Sequence, residues 1–113
     1  MGESASGLSK RHCKPCEGGT TPLVKEAIEN NLIDLPGWQH VDNSIMKHFE
    51  FKNFYQTMAF VNAVAWIAHI EGHHPDLEVA YKFCRVRFTT HGIAGLSEND
   101  FICAAKVEDL IPG

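Results

Sequence analysis

Three histidines in the second half of this 113-residue chain lie where predicted helices or strands end. His73 and His74 follow an apolar run that stops at Gly72, and His91 comes where the second of two strand-like runs should stop. Because the unperturbed pKa of histidine is about 6.5, its ring can both donate and accept a proton near neutral pH. The sequence therefore predicts general acid/base chemistry at the ends of these elements.

The adjacent positions of His73 and His74 indicate that the helix before them has already ended. Consecutive side chains in a helix point about 100° apart, so neighbours cannot face one target. Gly72 is a typical helix terminator, and Pro75 disfavours the α conformation at His74. In an extended segment the two rings can flank one small ligand. A helix carboxyl end at this point also favours a protonated ring, by about 0.3–1 kcal/mol.

Length and charge predict one soluble globular domain that does not bind nucleic acid directly. A chain of this length can bury a core unaided. The formal net charge of −4 and the pI of about 5.9 give no basic face for a nucleic acid. The longest apolar stretch, from Met58 to Ile70, is too short to span a bilayer. No signal-peptide core precedes the domain, so we expect a cytoplasmic protein without membrane contact.

Residues 1–19 are predicted to form a flexible N-terminal arm, and residues 20–113 the folded domain. The arm is rich in Ser, Gly and Lys and has no hydrophobic period. It contains Cys13 and Cys16 in a Cys-x-x-Cys pattern beside His12, which together supply only three of the four ligands of a closed zinc site. A fortuitous pair of exposed thiols is favoured over a metal site at Cys13 and Cys16, and the metal site stays open as the alternative.

Hydrophobic periodicity predicts three helices and four strands in the order α-β-β-α-β-β-α. The strand-like runs cover residues 38–41, 45–52, 77–82 and 84–89. Hairpins separated by helices predict an α+β fold, with a four-stranded antiparallel sheet and helices packed on one face. The middle helix carries a wide apolar stripe, so we expect it to lie flat on the sheet or to be packed on both sides.

Local signals predict where each helix begins. Thr21 before Pro22 is typical of a cap followed by the first helical residue. Two capping boxes predict the starts of the later helices: Asn53 with Gln56, and Ser97 with Asp100. The capping role of Asp100 is favoured over direct catalysis.

Several of these residues together resemble the pterin-4a-carbinolamine dehydratase family. The shared features are the αββαββα order, over about residues 20–110, and a motif: His73-His74-Pro75, Tyr81, Thr90-His91, and Gly95-Leu96-Ser97 with Asp100. The resemblance implies a lyase, more narrowly a hydro-lyase, that eliminates water from 4a-hydroxytetrahydropterin to give quinonoid dihydropterin. Such an enzyme recycles the tetrahydrobiopterin cofactor of a phenylalanine hydroxylase-type enzyme. The resemblance also implies a homodimer or homotetramer, with no metal or organic cofactor.

By residue match, the resemblance implies catalytic roles for His73, His74 and His91. It implies substrate binding or support of the site for three other residues: Asp100, Pro75 and Thr90. Protonation of the leaving oxygen and deprotonation of N5 can be divided between two imidazoles, so His74 or His91 is the expected proton shuttle and His73 its partner in binding and polarisation. In some animal members the same protein is a dimerisation cofactor of a homeodomain transcription factor, so a non-catalytic dimerisation or coactivator module is the alternative.

Two positions depart from the family pattern. His69 stands where many relatives have an acidic residue, which puts a carboxylate contact to the pterin from that position in doubt. Leu77 stands where they have an aromatic residue, which removes a stacking wall. His69 and His73 have zinc-ligand spacing, but Glu71 does not follow His69 directly as a His-Glu-x-x-His site requires. This spacing disfavours a metalloprotease. The residues alone leave catalysis, a metal site and merely structural histidines open, and the resemblance favours catalysis.

Overall fold

The computed structural model describes residues 7–15 and 21–111. From residue 21 onward its order is α-β-β-α-β-β-α, which confirms the predicted α+β class. The helices and strands, in chain order, are α1 Lys25–Leu32, β1 Gln39–Val41, β2 Ser44–Glu50, α2 Phe54–Glu71, β3 Asp76–Val79, β4 Phe83–Phe88 and α3 Glu98–Glu108. Two short 3-10 turns, Leu8–Lys10 and His91–Ile93, lie before α1 and between β4 and α3.

The four strands form one antiparallel sheet in the order β1-β2-β4-β3. Side chains of β4 alternate between the two faces, and Cys84, Val86 and Phe88 are fully buried. Both α2 and α3 contact β4. All four residues of β3, at the edge of the sheet, are exposed. It also ends three residues earlier than predicted, at Val79, because the chain turns back where Ala80 N donates to Phe83 O at 2.9 Å.

The two long helices differ in how much of their surface they bury. In α3 nearly every residue is buried, whereas α2 buries only Thr57, Phe60 and Val64. The other side of the apolar stripe of α2 is open, with Trp66 63 % exposed. The helix therefore lies on the domain along one side only. Within the described ranges, no helix is long and apolar enough to cross a membrane.

Helix α1 begins at Lys25, later than Thr21 and Pro22 predict, and its first turn has no side-chain cap. The reason is a long-range contact, because Leu23 N donates to Leu96 O at 2.8 Å and holds this stretch outside the helix. The predicted start at Thr21-Pro22 is therefore wrong.

Helix α2 begins and ends close to where the sequence predicts. Asn53 caps its start by accepting the N–H of Gln56 at 2.9 Å. The side chain of Gln56 accepts from Lys52 N at 3.0 Å, so the return bond of the predicted capping box goes to a different residue. At the other end Gly72 has φ 64° and ψ 30°, the left-handed conformation that terminates helices.

The described part of the predicted arm, residues 7–15, packs against α3, and we call it the N-terminal segment. Leu8 is only 1 % exposed. Lys106 Nζ donates to Ser9 O at 2.8 Å, and Lys14 is bound through its backbone by Asn99. This packing differs from the expected flexible arm, because a single buried leucine gives no periodic signal. The rest of the predicted arm, Cys16 included, lies outside the described residues.

Candidate active site

The innermost part of the candidate site is a contact between His73 and Asp100. His73 Nε2 lies 2.6 Å from Asp100 Oδ1, and the carboxylate is completely buried while the His73 side chain is 13 % exposed. The ring of His73 also stacks on Phe88, with centroids 6.0 Å apart and planes at 11°. A carboxylate that accepts one ring N–H and a flat aromatic neighbour together fix the orientation of the imidazole.

Asp100 has a second role at the start of α3, as the sequence predicts. Its Oδ2 accepts Ser97 N at 2.9 Å and Thr90 Oγ1 at 2.8 Å, and the capping box with Ser97 is complete. Thr90 Oγ1 also lies 2.7 Å from Ser97 Oγ. One carboxylate therefore caps α3 and also binds His73, so the predicted capping role is confirmed and direct catalysis by Asp100 stays a prediction. The participation of Ser97 was missed, although the capping box was its signal.

His74 and His91 lie at the surface and face each other. Their ring centroids are 6.3 Å apart and their planes differ by 29°. His74 is directed by the left-handed turn at Gly72 and by contact of its Nδ1 with Pro75 O at 3.2 Å. Both rings are exposed to water, so each can exchange protons with solvent. The three predicted histidines thus form one inner ring, held by protein, and an outer pair open to solvent.

A tight loop brings His91 to this position. Thr90 N donates to Gly95 O at 3.0 Å, and between them lie the 3-10 turn His91–Ile93 and its cap Ala94, which has φ 51°. Gly95 allows close approach, because a Cβ there would lie 2.8 Å from Pro22 Cβ. The glycine-rich spacing after His91 therefore sets the position of the loop against the stretch that precedes α1.

A pocket of about 260 Å³ lies beside His73. Its lining comes from both ends of the chain: Cys13, Lys14, Pro15, Glu71, Gly72, His73, Thr90 and Asn99. Sequence reasoning missed the contribution of the N-terminal segment, because nothing in residues 7–15 indicates contact with residues more than 50 positions away.

Glu71 is the buried acid of this pocket wall, with its side chain 3 % exposed. Its Oε1 accepts Cys13 N at 2.7 Å, and its Oε2 lies 2.9 Å from His12 Nδ1 and 3.6 Å from Lys106 Nζ. Burial raises the pKa of Glu71, but the bonds from Cys13 and His12 and the charge of Lys106 outweigh burial and lower the pKa below its ordinary value. Glu71 thus joins α2, α3 and the N-terminal segment.

Two predicted alternatives involve metal ligands. His69 lies apart from the three histidines and packs on Trp66, with ring centroids 5.2 Å apart. Among residues 7–15 and 21–111, no group of three or more His, Cys, Asp or Glu side chains could hold a metal ion. Cys13 Sγ instead lies 3.4 Å from Cys103 Sγ, and this contact, burial and nearby acidic groups raise the pKa of Cys103. Because Cys16 is outside the described residues, a site formed by Cys13 and Cys16 stays a prediction.

Fold and site together define a small α+β domain with a cluster of histidines where its elements end. The family model described as pterin 4 alpha carbinolamine dehydratase matches residues 21–110, and the chain belongs to this family. It is 65 % identical over 105 residues to a protein of Nitrosomonas eutropha that is provisionally named pterin-4-alpha-carbinolamine dehydratase, covering 92 % of this chain and 93 % of that one.

Two solved structures are similar in fold. A transcriptional coactivator/pterin dehydratase from Brucella melitensis matches with a TM-score of 0.75 and 32 % identity, over 78 % of this chain and 96 % of that chain. A pterin dehydratase-like protein, described as a RuBisCO assembly factor in the alpha-carboxysome, matches with a TM-score of 0.55 and 24 % identity, over 65 % of this chain and 84 % of that chain. The second likeness concerns the fold alone.

Proposed function

We propose that this chain dehydrates 4a-hydroxytetrahydropterin to quinonoid dihydropterin by histidine acid/base catalysis. Membership in the dehydratase family supports the reaction class. The observation that carries the mechanism is the outer pair, because His74 and His91 face each other across 6.3 Å while Asp100 holds His73 behind them. Two exposed imidazoles at this separation can flank one small heterocycle and act on neighbouring atoms of it.

The reaction requires two proton transfers and no change of oxidation state. The hydroxyl at C4a gains a proton and leaves as water, and N5 loses its proton as a C4a–N5 double bond forms. In our proposal one ring of the outer pair, as imidazolium, protonates the leaving oxygen, while the other, as neutral imidazole, takes the N5 proton. Positioned acid/base groups supply about 10²–10⁴-fold acceleration. Afterwards the two rings exchange protons with solvent and return to their starting states.

His73 has a different role in this proposal, as a fixed group that binds and polarises the substrate. Its Nε2–H is directed at Asp100, so the remaining ring nitrogen is unprotonated while the ring is neutral. Thr90 supports the arrangement through Asp100, and Pro75 supports it through the position of His74. Neither needs to contact the substrate.

We propose the same biological setting that the resemblance implies. The enzyme would recycle the pterin cofactor of a phenylalanine hydroxylase-type enzyme in the cytoplasm, as a homodimer or homotetramer. The exposed apolar side of α2 and the edge strand β3 support self-association.

A second candidate function is a non-catalytic module for dimerisation or coactivation. The similar structure from Brucella melitensis supports this candidate, because it is described as a transcriptional coactivator/pterin dehydratase. A protein-binding module does not require histidines at 73, 74 and 91, whereas a dehydratase in this proposal does.

Stopped-flow decay of enzymatically generated 4a-hydroxytetrahydropterin tests the proposed function. Wild-type protein should accelerate the decay, and His74→Ala and His91→Ala should each lose about 10²-fold or more of the acceleration. His40→Ala is the matched control, because His40 is an exposed strand residue outside the site. Folded wild-type protein that fails to accelerate the decay would exclude the dehydratase and favour the second candidate. Loss of activity in the control alone would exclude the assigned roles.

A further inference from the structure

The N-terminal segment supplies one wall of the pocket beside His73. Cys13, Lys14 and Pro15 line the pocket together with His73 and Thr90. The family match begins only at residue 21, so this wall is an addition to the matched domain.

Two side chains hold the main chain of this wall in place. Asn99, which is 8 % exposed, accepts Lys14 N at 3.0 Å and donates to Lys14 O at 2.6 Å. Glu71 accepts the N–H of the preceding residue, Cys13, at 2.7 Å. Bonds to two consecutive residues, made by largely buried groups, fix a short irregular segment far more firmly than exposed contacts do.

The anchors also connect this wall to the catalytic histidines. Glu71 is the last residue of α2 and precedes the Gly72 turn that directs His73 and His74. Asn99 precedes Asp100, the partner of His73. The wall, His73 and its partner Asp100 are therefore built on the same two helix ends, the last turn of α2 and the first turn of α3.

We propose that Cys13, Lys14 and Pro15 are a specificity-determining wall that contacts the bound pterin, and that Glu71 and Asn99 are the residues that position it. This inference rests on the proposed function. The wall sets how much room the substrate has beside His73, and the protons move elsewhere, at His74 and His91. Loosening the wall should therefore weaken substrate binding and leave the chemical step almost unchanged.

The thiol of Cys13 provides a direct measurement of contact with a pterin. Cys84 and Cys103 are 0 % exposed, so in a Cys16→Ser background the half-buried Cys13 is the most accessible cysteine. Its alkylation by iodoacetamide, followed by mass spectrometry, should slow severalfold when 7,8-dihydrobiopterin is bound. Binding of the pterin is measured separately by fluorescence titration. Binding without protection of Cys13 would overturn the inference, whereas absence of binding would overturn the proposed function and this inference with it.

Kinetics of Asn99→Ala test the positioning role. KM for the 4a-hydroxytetrahydropterin should rise about tenfold with kcat within about twofold of wild type. The matched control is Arg11→Ala, which breaks an exposed ion pair between the same segment and Glu98 away from the pocket, and KM should not change. Thermal unfolding identifies a purely structural effect, which would lower kcat through loss of folded enzyme. An unchanged KM in folded Asn99→Ala would refute the positioning role.

Discussion

A single buried carboxylate, that of Asp100, has two structural roles in this protein. Asp100 accepts the capping N–H of Ser97 with one oxygen and contacts His73 with the other, and Thr90 completes the set. An asparagine at this position has one acceptor oxygen instead of two and must present an N–H to one of these groups. Stability and catalysis are therefore expected to respond together to changes at Asp100.

Asp100→Asn should lower the free energy of unfolding by about 1–3 kcal/mol, because a buried hydrogen-bonding group loses its partner. The same variant should lose at least about tenfold in kcat/KM, because the ring of His73 is no longer oriented. Ser97→Ala serves as the comparison, since it removes the cap side chain at a cost of about 0.5–2 kcal/mol and leaves His73 paired. Urea unfolding and stopped-flow assays measure both quantities. Equal activity of the two variants would contradict the orienting role.

The lowered pKa of Glu71 predicts a pH-dependent contribution to stability. A carboxylate whose pKa is lower in the folded state stabilises the fold above its unfolded pKa, and that stabilisation is lost as pH falls through the folded pKa. The ordinary value is 4.5. Glu71→Gln should therefore be less stable than wild type at pH 7, with the difference shrinking as pH falls below the ordinary pKa of 4.5 and through the lower pKa of the folded state. Unfolding free energies measured from pH 7 to pH 3 check this, and a constant difference would contradict it.

Helix ends position the site, and Gly72 is the most sensitive of them. Its φ of 64° is one that L side chains rarely adopt, and a Cβ there would meet nothing within 4 Å, so a substitution is strained by conformation alone. The turn directs both His73 and His74 away from the axis of α2.

Gly72→Ala should lose about 1–2 kcal/mol of stability through that strain and should also lower kcat/KM, because the histidines are redirected. Gly92→Ala is the matched control, since its Cβ also meets nothing and its φ is not in the left-handed region. Thermal unfolding of the two variants provides the comparison. Equal stability of both variants would show that the left-handed turn is not under strain.

The elements could be predicted from the sequence where a local signal is not overridden by a contact across the fold. The glycine terminator of α2, the capping box of α3 and the alternation in β4 lie within a few residues of the feature that they specify. The start of α1 was misplaced because Leu23 is held by Leu96, a contact across the fold. The packing of the N-terminal segment has no sequence signal for the same reason, since the turn that contains Leu8 contacts α3 and Cys13 N donates to Glu71.

In the candidate site, too, some features have a local sequence signal and others depend on contacts across the fold. The three histidines could be proposed from the sequence because their residue type, their places at element ends and the resemblance to a known family agree, and their catalytic roles stay predictions. The link from Asp100 to His73 and the wall formed by Cys13 depend on which helix ends meet in space. Periodicity does not contain that information.

At the scale of the whole molecule, the open side of α2 presents a group of exposed apolar side chains. Tyr55, Trp66 and Ile70 are 82 %, 63 % and 55 % exposed on one helix. Large apolar side chains grouped in this way mark surfaces that associate. A second copy of the chain would remove them from water.

Trp66→Glu should therefore shift the protein toward monomer, because a charge would be buried in the interface. Ile33→Glu is the control, since Ile33 is 75 % exposed on a different part of the surface. Light scattering after size exclusion gives the mass of each variant. A wild-type protein that is already monomeric at micromolar concentration would contradict self-association through α2.

The two roles of Asp100, at the start of α3 and beside His73, have an evolutionary consequence. A descendant that no longer turned over substrate would still need this aspartate to start α3, so selection for a folded domain alone would retain it. His74 and His91 lie at the surface and support no part of the core, so they would be free to drift once turnover ceased. When relatives of this chain are sorted into enzymes and former enzymes, the outer histidine pair is therefore the informative marker, and the more deeply buried acid is not.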